Sequence, residues 1–218
     1  MQRFRTEPAF WGLMTVDDRP SEAPLLADLA RDLDGAFEGL VLAHQDRLYS
    51  IALRMLGDPR DAEEATQDAF VRAYRALADY DESRIHALRL RGWLATIVLN
   101  LCRTRTTKRA ARGRGPLSLD AAAQAGAPDP VAPAGRGPLA VAERHDARSR
   151  WALRLAELPV GYRAAVVLRH VDGLTYPEVA TALGRPEGTV KAQVHRGIAM
   201  LRTMLEAERR LEREEMTA

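Results

Sequence analysis

The sequence predicts an all-α protein of two small helical domains, and three observations lead to this prediction. Apolar residues recur three and four positions apart along most of the chain, whereas the strict alternation typical of strands is hard to find. A segment rich in Ala, Pro and Gly, residues 113–140, interrupts the pattern and is predicted to be a flexible linker. The 218 residues are 46% hydrophobic and 28% charged, a composition typical of globular proteins rather than of disordered or fibrous ones.

Three amphipathic helices are predicted in the first domain, residues 36–112. The first covers residues 37–56 and stops at Gly57-Asp58-Pro59, a sequence that favours a turn. The second begins near residue 61 and ends near residue 79, and the third begins near residue 92 and becomes strongly basic. We expect these helices to pack as a small bundle. Residues 1–35 are predicted to form a disordered N-terminal extension.

The second domain, residues 141–205, is predicted to end in a helix-turn-helix. A helix over 160–171, ended by Asp172-Gly173, precedes it. Thr175 and Glu178 have the spacing of a capping box at the start of a short helix. Gly184 then supplies a turn, and Pro186 suits the start of the next helix. Residues 206–218 mix both signs of charge and are predicted to be a solvated C-terminal tail.

The second helix of this helix-turn-helix is the candidate DNA-reading element. It would expose residue types that reach base edges or phosphates in a major groove, namely Lys191, Gln193, His195 and Arg196. An ordinary helical hairpin with a solvated polar face is the alternative. The spacing favours DNA binding over that alternative.

Charge is segregated inside the first domain although the whole chain has a formal net charge of only +2. Residues 57–68 hold five acids against one base, and residues 101–116 hold six bases and no acid. The basic run is either a solvated helix end or a patch that contacts phosphates, and a run without acids favours the phosphate patch. Nearby aromatic residues, Tyr74, Tyr80 and Trp93, could stack on unpaired bases, although the spacing of Trp93 also suits the core.

The acidic cluster has two interpretations. Acids near a helix start interact favourably with the helix dipole, which is a purely structural role. However, Asp61, Glu64 and Asp68 recur at spacings of three and four, so they share one helix face, with Gln67 beside them. A face of a single sign indicates a docking surface for a basic partner protein.

Several other function classes find no support in the sequence. Cys102 is the single cysteine, so neither an internal disulfide nor a zinc cluster is expected. The five histidines lack metal-binding spacing, and no nucleophile motif stands out, so we predict no metal, no cofactor and no enzymatic activity. No segment resembles a membrane span or a secretion signal, which predicts a cytoplasmic protein without membrane insertion.

The pattern of residues resembles the extracytoplasmic-function (ECF) sigma factors of bacterial RNA polymerase, over about residues 36–112 and 143–205. In the first domain the resemblance rests on Asp61-Ala-Glu63-Glu64, Gln67-Asp68-Ala-Phe70 and Trp93-Leu94. In the second it rests on Asp172-Gly173-Leu174-Thr175-Tyr176 and Gly188-Thr189-Val190-Lys191. Residues 81–91 depart from the family pattern because they are longer and more apolar.

The resemblance implies a sigma factor that binds RNA polymerase core and directs promoter recognition, strand opening and transcription initiation. It assigns core-polymerase binding to Asp61, Glu64, Gln67 and Asp68. It assigns the opened minus-ten element to Trp93, Asn100, Arg103, Lys108 and Arg109. It assigns the minus-thirty-five duplex to Lys191, Gln193, His195 and Arg196.

The implied partners are RNA polymerase core, promoter DNA and an anti-sigma factor, and the polymerase core would supply the chemistry. A free-standing helix-turn-helix regulator, which binds operator DNA without polymerase, is the alternative function. Such regulators usually bind two half-sites as dimers. The acidic face and the lack of an evident dimerisation helix therefore favour the sigma factor.

Overall fold

The structure, a computed structural model, describes residues 22–111, 151–152 and 154–216. Helices and short connections make up these residues, with no strand among them, which confirms the predicted all-α class. None of the helices in these ranges is long and apolar enough to span a bilayer. The predicted linker over 113–140 and residues 1–21 lie outside the described residues.

The first domain is a bundle of helices packed around one apolar core. The main bundle consists of α2, α3 and α5, and the shorter α1 packs on α2 and α4. The largest fully buried side chains of this core are leucines, an isoleucine and a methionine of α1, α2, α3 and α5. The helices are α1 (Ala23–Arg31), α2 (Leu33–Leu56), α3 (Pro59–Ala78), α4 (Glu82–His86) and α5 (Leu90–Ala111).

The turn between α2 and α3 is encoded by three consecutive residues. Gly57 ends α2 in the left-handed conformation, with φ of 76°, which a glycine adopts without steric cost. The Asp58 carboxylate accepts hydrogen bonds from the backbone N–H of Arg60 and Asp61, at 2.9 Å and 3.0 Å. Pro59 occupies the first helical position, where its missing N–H costs nothing. The predicted stop between the first two helices is therefore confirmed.

The structure corrects the prediction that residues 1–35 form a disordered extension. Residues 23–31 form α1, and α2 begins at Leu33 instead of near residue 37. Leu26 and Leu29 are buried in the common core, and Asp32 caps α2 by accepting a hydrogen bond from Gly35 N at 3.1 Å. A nine-residue helix offers too short a pattern to stand out in a sequence, because its stability comes from tertiary packing.

The long, apolar segment of residues 81–91 contains the short helix α4. Asp81 caps this helix by accepting a hydrogen bond from Arg84 N at 2.8 Å. Ile85, a residue of α4 itself, is buried in the core, which accounts for one of the apolar residues in this segment.

The second domain confirms the predicted helix-turn-helix. Residues 151–152 and 154–157 are helical and are followed by α6 (Val160–Val166), whose last turn continues as a π-helix over Val167–Val171. The helix-turn-helix consists of α7 (Tyr176–Leu183) and α8 (Glu187–Glu215). Thr175 and Glu178 form the capping box of α7, and Gly184 ends it with φ of 60°.

A close approach of helices holds the second domain together. A Cβ atom at Gly197 of α8 would lie 2.6 Å from the Val166 Cγ2 atom of α6, so only glycine permits this packing. The predicted tail is a continuation of α8 as far as Glu215. Arg154 Nε donates to both carboxylate oxygens of Glu208, at 3.0 Å and 2.9 Å, and ties this continuation to the domain.

The two domains are in direct contact. The helix α7 packs across α5, and α6 with its π-helical turn packs on α2. This contact brings the predicted DNA-reading domain against the helix that carries the predicted minus-ten residues.

Candidate polymerase-binding and nucleic-acid interfaces

The predicted acidic docking face lies on the first half of α3, and it faces the basic end of the antiparallel α5. Arg105 Nη1 donates to Glu64 Oε2 at 2.9 Å, and Arg105 Nη2 donates to Asp68 Oδ2 at 2.8 Å. Arg109 Nη1 lies 3.5 Å from Asp61 Oδ2. The carboxylates nonetheless remain open to solvent, since the side chains of Glu64 and Asp68 are 65% and 53% exposed. The face is therefore accessible to a partner although it is not a surface of one sign.

Gln67 belongs to the same exposed face. Its Nε2 atom lies 3.5 Å from Glu63 Oε1, one turn earlier on α3. All four residues predicted to bind the polymerase core are thus on one side of α3.

The basic run of α5 is divided between two faces of the helix. Arg105 and Arg109 turn toward α3, as described above, whereas Lys108 is exposed to solvent. Arg103 points to the second domain, where burial and the positive charge of Arg185 lower its pKa. The sequence therefore predicted one basic patch for phosphates, whereas in the structure these basic side chains point in different directions from α5.

The other two predicted minus-ten residues lie closer to the start of α5. Asn100 is exposed. Trp93 is half-buried and contacts Tyr80, with ring centroids 6.2 Å apart and ring planes inclined by 53°. The Arg84 guanidinium lies 3.7 Å from the centroid of the Tyr80 ring. Tyr80 and Trp93 thus form a packed, partly accessible aromatic pair, and stacking of Trp93 on unpaired bases stays a prediction.

The predicted minus-thirty-five residues lie in the first turns of α8. Lys191, His195 and Arg196 are exposed, and Lys191 Nζ forms an ion pair with Glu187 Oε1 at 2.7 Å. Gln193 differs because it is half-buried, and its Oε1 atom finds no hydrogen-bond partner among the described residues. Three of the four predicted residues are therefore available to DNA in this arrangement.

A buried ion cluster joins the two domains, and sequence reasoning missed it. Arg47 of α2 donates from Nε to Asp172 Oδ1 at 2.5 Å and from Nη2 to Asp172 Oδ2 at 2.7 Å. Arg91, in the first turn of α5, donates from Nη2 to the Asp172 carbonyl at 3.1 Å. The Asp172 side chain has no exposed surface. The sequence identified Asp172-Gly173 as a helix end, but nothing local indicates a partner 125 residues away.

His44 lies beside this cluster on α2. Burial, followed by the charges of Arg47 and Arg91, lowers the pKa of His44 to about 4. The imidazole is therefore neutral at neutral pH. Its protonation would add a third positive charge beside the two guanidinium groups.

Comparisons with known proteins match both domains. The family described as Sigma-70 region 2 matches residues 40–112, and the family described as Sigma-70, region 4 matches residues 149–201. The ECF RNA polymerase sigma factor SigW of Bacillus subtilis is 30% identical over 176 residues, which cover 78% of this chain and 89% of SigW. The chain belongs to the ECF RNA polymerase sigma factors.

Two further relatives support the assignment of this ECF sigma factor. The ECF sigma factor SigE of Mycolicibacterium smegmatis is 34% identical over 172 residues, which cover 78% of this chain and 62% of SigE. The solved structure of CnrH, in complex with the cytosolic domain of CnrY, matches with a TM-score of 0.59 and 29% identity. This match covers 86% of this chain and 99% of CnrH.

Family membership confirms the predicted function. This ECF sigma factor binds RNA polymerase core and directs promoter recognition in transcription initiation. The match of the first domain to Sigma-70 region 2 argues against the alternative, a free-standing helix-turn-helix regulator.

Proposed function

We propose that this ECF sigma factor divides its work among three surfaces. The acidic face of α3 (Asp61, Glu64, Gln67 and Asp68) binds RNA polymerase core. Trp93, Asn100, Arg103, Lys108 and Arg109 of α5 bind the opened minus-ten strand. The start of α8 (Lys191, Gln193, His195 and Arg196) reads the minus-thirty-five duplex.

The observation that carries the polymerase assignment is the accessibility of the α3 carboxylates. Glu64 and Asp68 stay more than half exposed while Arg105 bonds to both. Exposed ion pairs of this kind contribute little to stability, so a basic partner surface can compete for the same carboxylates. In the free protein, Arg105 thus occupies the position that a positively charged group of the partner takes when it binds.

The exposure of residues at the start of α8 supports the minus-thirty-five assignment. His195 and Arg196 are exposed one after the other on the second helix of a helix-turn-helix, the element that enters a major groove. Arg103 supports a nucleic-acid role for its side of α5 less directly, since burial and the positive charge of Arg185 lower its pKa, and a phosphate would offset that repulsion.

The proposal extends to the partners of this chain and to the compartment in which it acts. CnrH is known in complex with the cytosolic domain of CnrY. We infer that this chain likewise has an anti-sigma partner, that it acts in the cytoplasm, and that the polymerase rather than the sigma factor performs catalysis.

Charge reversal on α3 tests the polymerase-binding face. The double substitution Asp61→Lys with Glu64→Lys places two cations where the partner's cations must dock, and we expect an affinity for core polymerase weaker by about tenfold or more. A fluorescence titration of labelled protein with purified core measures it. The matched control reverses Glu206 and Glu214, two exposed acids on α8. Equal affinities for the two double variants would contradict the assignment.

Replacement of Arg196 by Ala tests the minus-thirty-five assignment. We expect a loss of about 1–3 kcal/mol in binding of the holoenzyme, and a relaxed preference at one base pair, because Arg196 would no longer reach a base edge. Binding to a set of promoters with single base changes measures both effects. The variant Arg202→Ala, which alters an exposed Arg further along α8, is the control. A uniform loss across all sequences would make Arg196 a phosphate contact and refute base reading.

A further inference from the structure

We propose that the contact between the two domains is a closed, self-inhibited state of the free sigma factor, latched by Asp172. The inhibitory part of this inference rests on the proposed assignment of the two domains to the minus-ten and minus-thirty-five elements. The closure itself rests on the contacts between the domains alone.

The latch consists of one carboxylate from the second domain and two guanidinium groups from the first. Arg47 holds both oxygens of Asp172, as described above. Arg47 Nη2 also donates to the Arg91 carbonyl at 2.9 Å, which fixes the two arginines relative to each other. Arg91 Nη2 in turn lies 3.8 Å from Asp172 Oδ1. The first domain thus contributes two adjacent guanidinium groups, and Asp172, which directly follows the π-helical turn, lies against them.

A second contact fixes the orientation of the two domains. Arg163 of α6 is buried, and its Nη1 donates to the Met55 carbonyl at 2.5 Å in the last turn of α2. Carbonyls at a helix C-terminus are the negative end of the helix dipole, so a guanidinium is favoured there. Arg47 and Met55 are separated by about 12 Å along α2, from a rise of about 1.5 Å per residue. Two anchors at this separation prevent one domain from rotating on the other.

The latch is reversible because its net energy is small. Burial of Asp172 and Arg47 removes two charges from water, and this desolvation offsets most of their attraction. Opening returns both charges to solvent. Removal of the carboxylate alone has a different effect, since it takes away the anion that Arg47, whose side chain is only 13% exposed, holds with two hydrogen bonds. A single substitution at residue 172 therefore shifts the equilibrium toward the open state.

The closed state cannot occupy both promoter elements at once. The minus-ten and minus-thirty-five elements are about 25 base pairs apart, or about 85 Å of duplex at about 3.4 Å per base pair. A compact chain of this length is about 45 Å across. The two domains must therefore separate before both elements are bound.

The closed state also covers part of the proposed DNA-binding side of α5. The helix α7 packs across α5, and Arg103 is half-buried close to Arg185. Two guanidinium groups of the same sign at this junction disfavour closure, and a phosphate would relieve their repulsion. DNA that reaches α5 thus competes directly with the second domain.

Energy transfer between two dyes on the full-length protein tests the closure. Cysteines introduced as Glu38→Cys on α2 and Glu206→Cys on α8 place one dye on each domain at exposed positions. The native Cys102 is buried, and its thiol pKa is raised to about 12, so it does not compete for the dyes. Asp172→Asn is compared with Asp28→Asn, which alters an exposed carboxylate paired with Arg31 inside α1.

We expect high transfer efficiency in the wild type and in Asp28→Asn, and lower efficiency in Asp172→Asn. Arg47→Met opens the same latch from the first domain, so it keeps the test valid if Asp172→Asn fails to fold. Wild-type efficiency as low as that of the variants, or variants as closed as the wild type, would overturn the latch.

Transcription in vitro, with sigma factor at a fixed low concentration and core polymerase titrated, tests the inhibitory role. If about four-fifths of the free protein is closed, opening lowers the half-maximal core concentration about fivefold. Opening of the variants without this decrease would overturn self-inhibition. Absence of transcription with every protein, wild type included, would count against the proposed function and not against closure, which the dyes report without polymerase or DNA.

Discussion

The two ends of α5 form ion pairs of opposite character. At its beginning, Arg91 joins Arg47 around Asp172, and the carboxylate is completely buried between the domains. Near its end, Arg105 bonds to Glu64 and Asp68 at 2.9 Å and 2.8 Å, close to the 2.5 Å and 2.7 Å between Arg47 and Asp172, yet both acids are more than half exposed. The same chemistry therefore occurs in two environments on one helix.

This difference shows that solvent access, rather than hydrogen-bond length, decides what an ion pair does. The exposed pairs near the end of α5 exchange easily with water or with the charges of a partner, and they add little to stability. The buried cluster at the beginning of α5 cannot exchange unless the domains separate. One end is thus suited to recognition by a partner, and the other to control of conformation.

The largest effect is expected at the buried end, in the pH dependence set by His44. Its pKa is about 4 in the folded protein and about 6.5 when unfolded, so between these values the unfolded state binds more protons. The stabilising contribution is complete above about pH 6.5 and is lost as the pH falls toward 4. The shift corresponds to about 3 kcal/mol of unfolding free energy. Urea unfolding at a series of pH values measures it.

The variant His44→Leu isolates this contribution. Carboxylates that titrate in the same range do so in both proteins, so their effect cancels in the difference between the two curves. We expect a flatter dependence in the variant between pH 6.5 and 4. Parallel curves would show that His44 is not held neutral by burial beside Arg47 and Arg91.

The smallest effect is expected at the exposed end. Replacement of Arg105 by Ala breaks the bonds to Glu64 and Asp68, and we expect it to lower the unfolding free energy by less than about 1 kcal/mol. Affinity for core polymerase should stay equal or rise, because both carboxylates become free for the partner. Arg72→Ala, at an exposed position on α3, controls for the loss of a surface charge. A loss of several kcal/mol of unfolding free energy would show that the exposed ion pairs at the end of α5 contribute as much to stability as buried ones, which would contradict this comparison.

Local features of the fold were predictable because they depend on neighbouring residues. The turn at Gly57-Asp58-Pro59 and the capping box of Thr175 and Glu178 each use side chains within three residues of the backbone groups they satisfy. The helical class follows from the apolar spacing. The structure confirms the helices that this spacing predicted, and each of them, with the π-helical turn counted as part of α6, is longer than two turns. The short helix α1 escaped prediction because packing on α2 and α4, rather than its own pattern, holds it in place.

The candidate sites were predictable only as sets of residues on a helix face. Helical spacing places Asp61, Glu64 and Asp68 together on α3, as the structure has them. Spacing did not reveal that Arg105 and Arg109 turn back onto those acids, because that depends on the antiparallel packing of α3 and α5. The sequence therefore predicted the acidic face without the basic residues beside it.

The sequence by itself determined the helices, their caps and turns, and the two-domain organisation, because these follow from interactions between residues close together in the chain. Only the tertiary structure decided which charges are buried. Arg47, Arg91 and Asp172 each resemble an ordinary surface residue in the sequence. They form a buried cluster because two separately folded helical surfaces meet there and exclude water, and exclusion of water is a property of the assembled fold rather than of any segment.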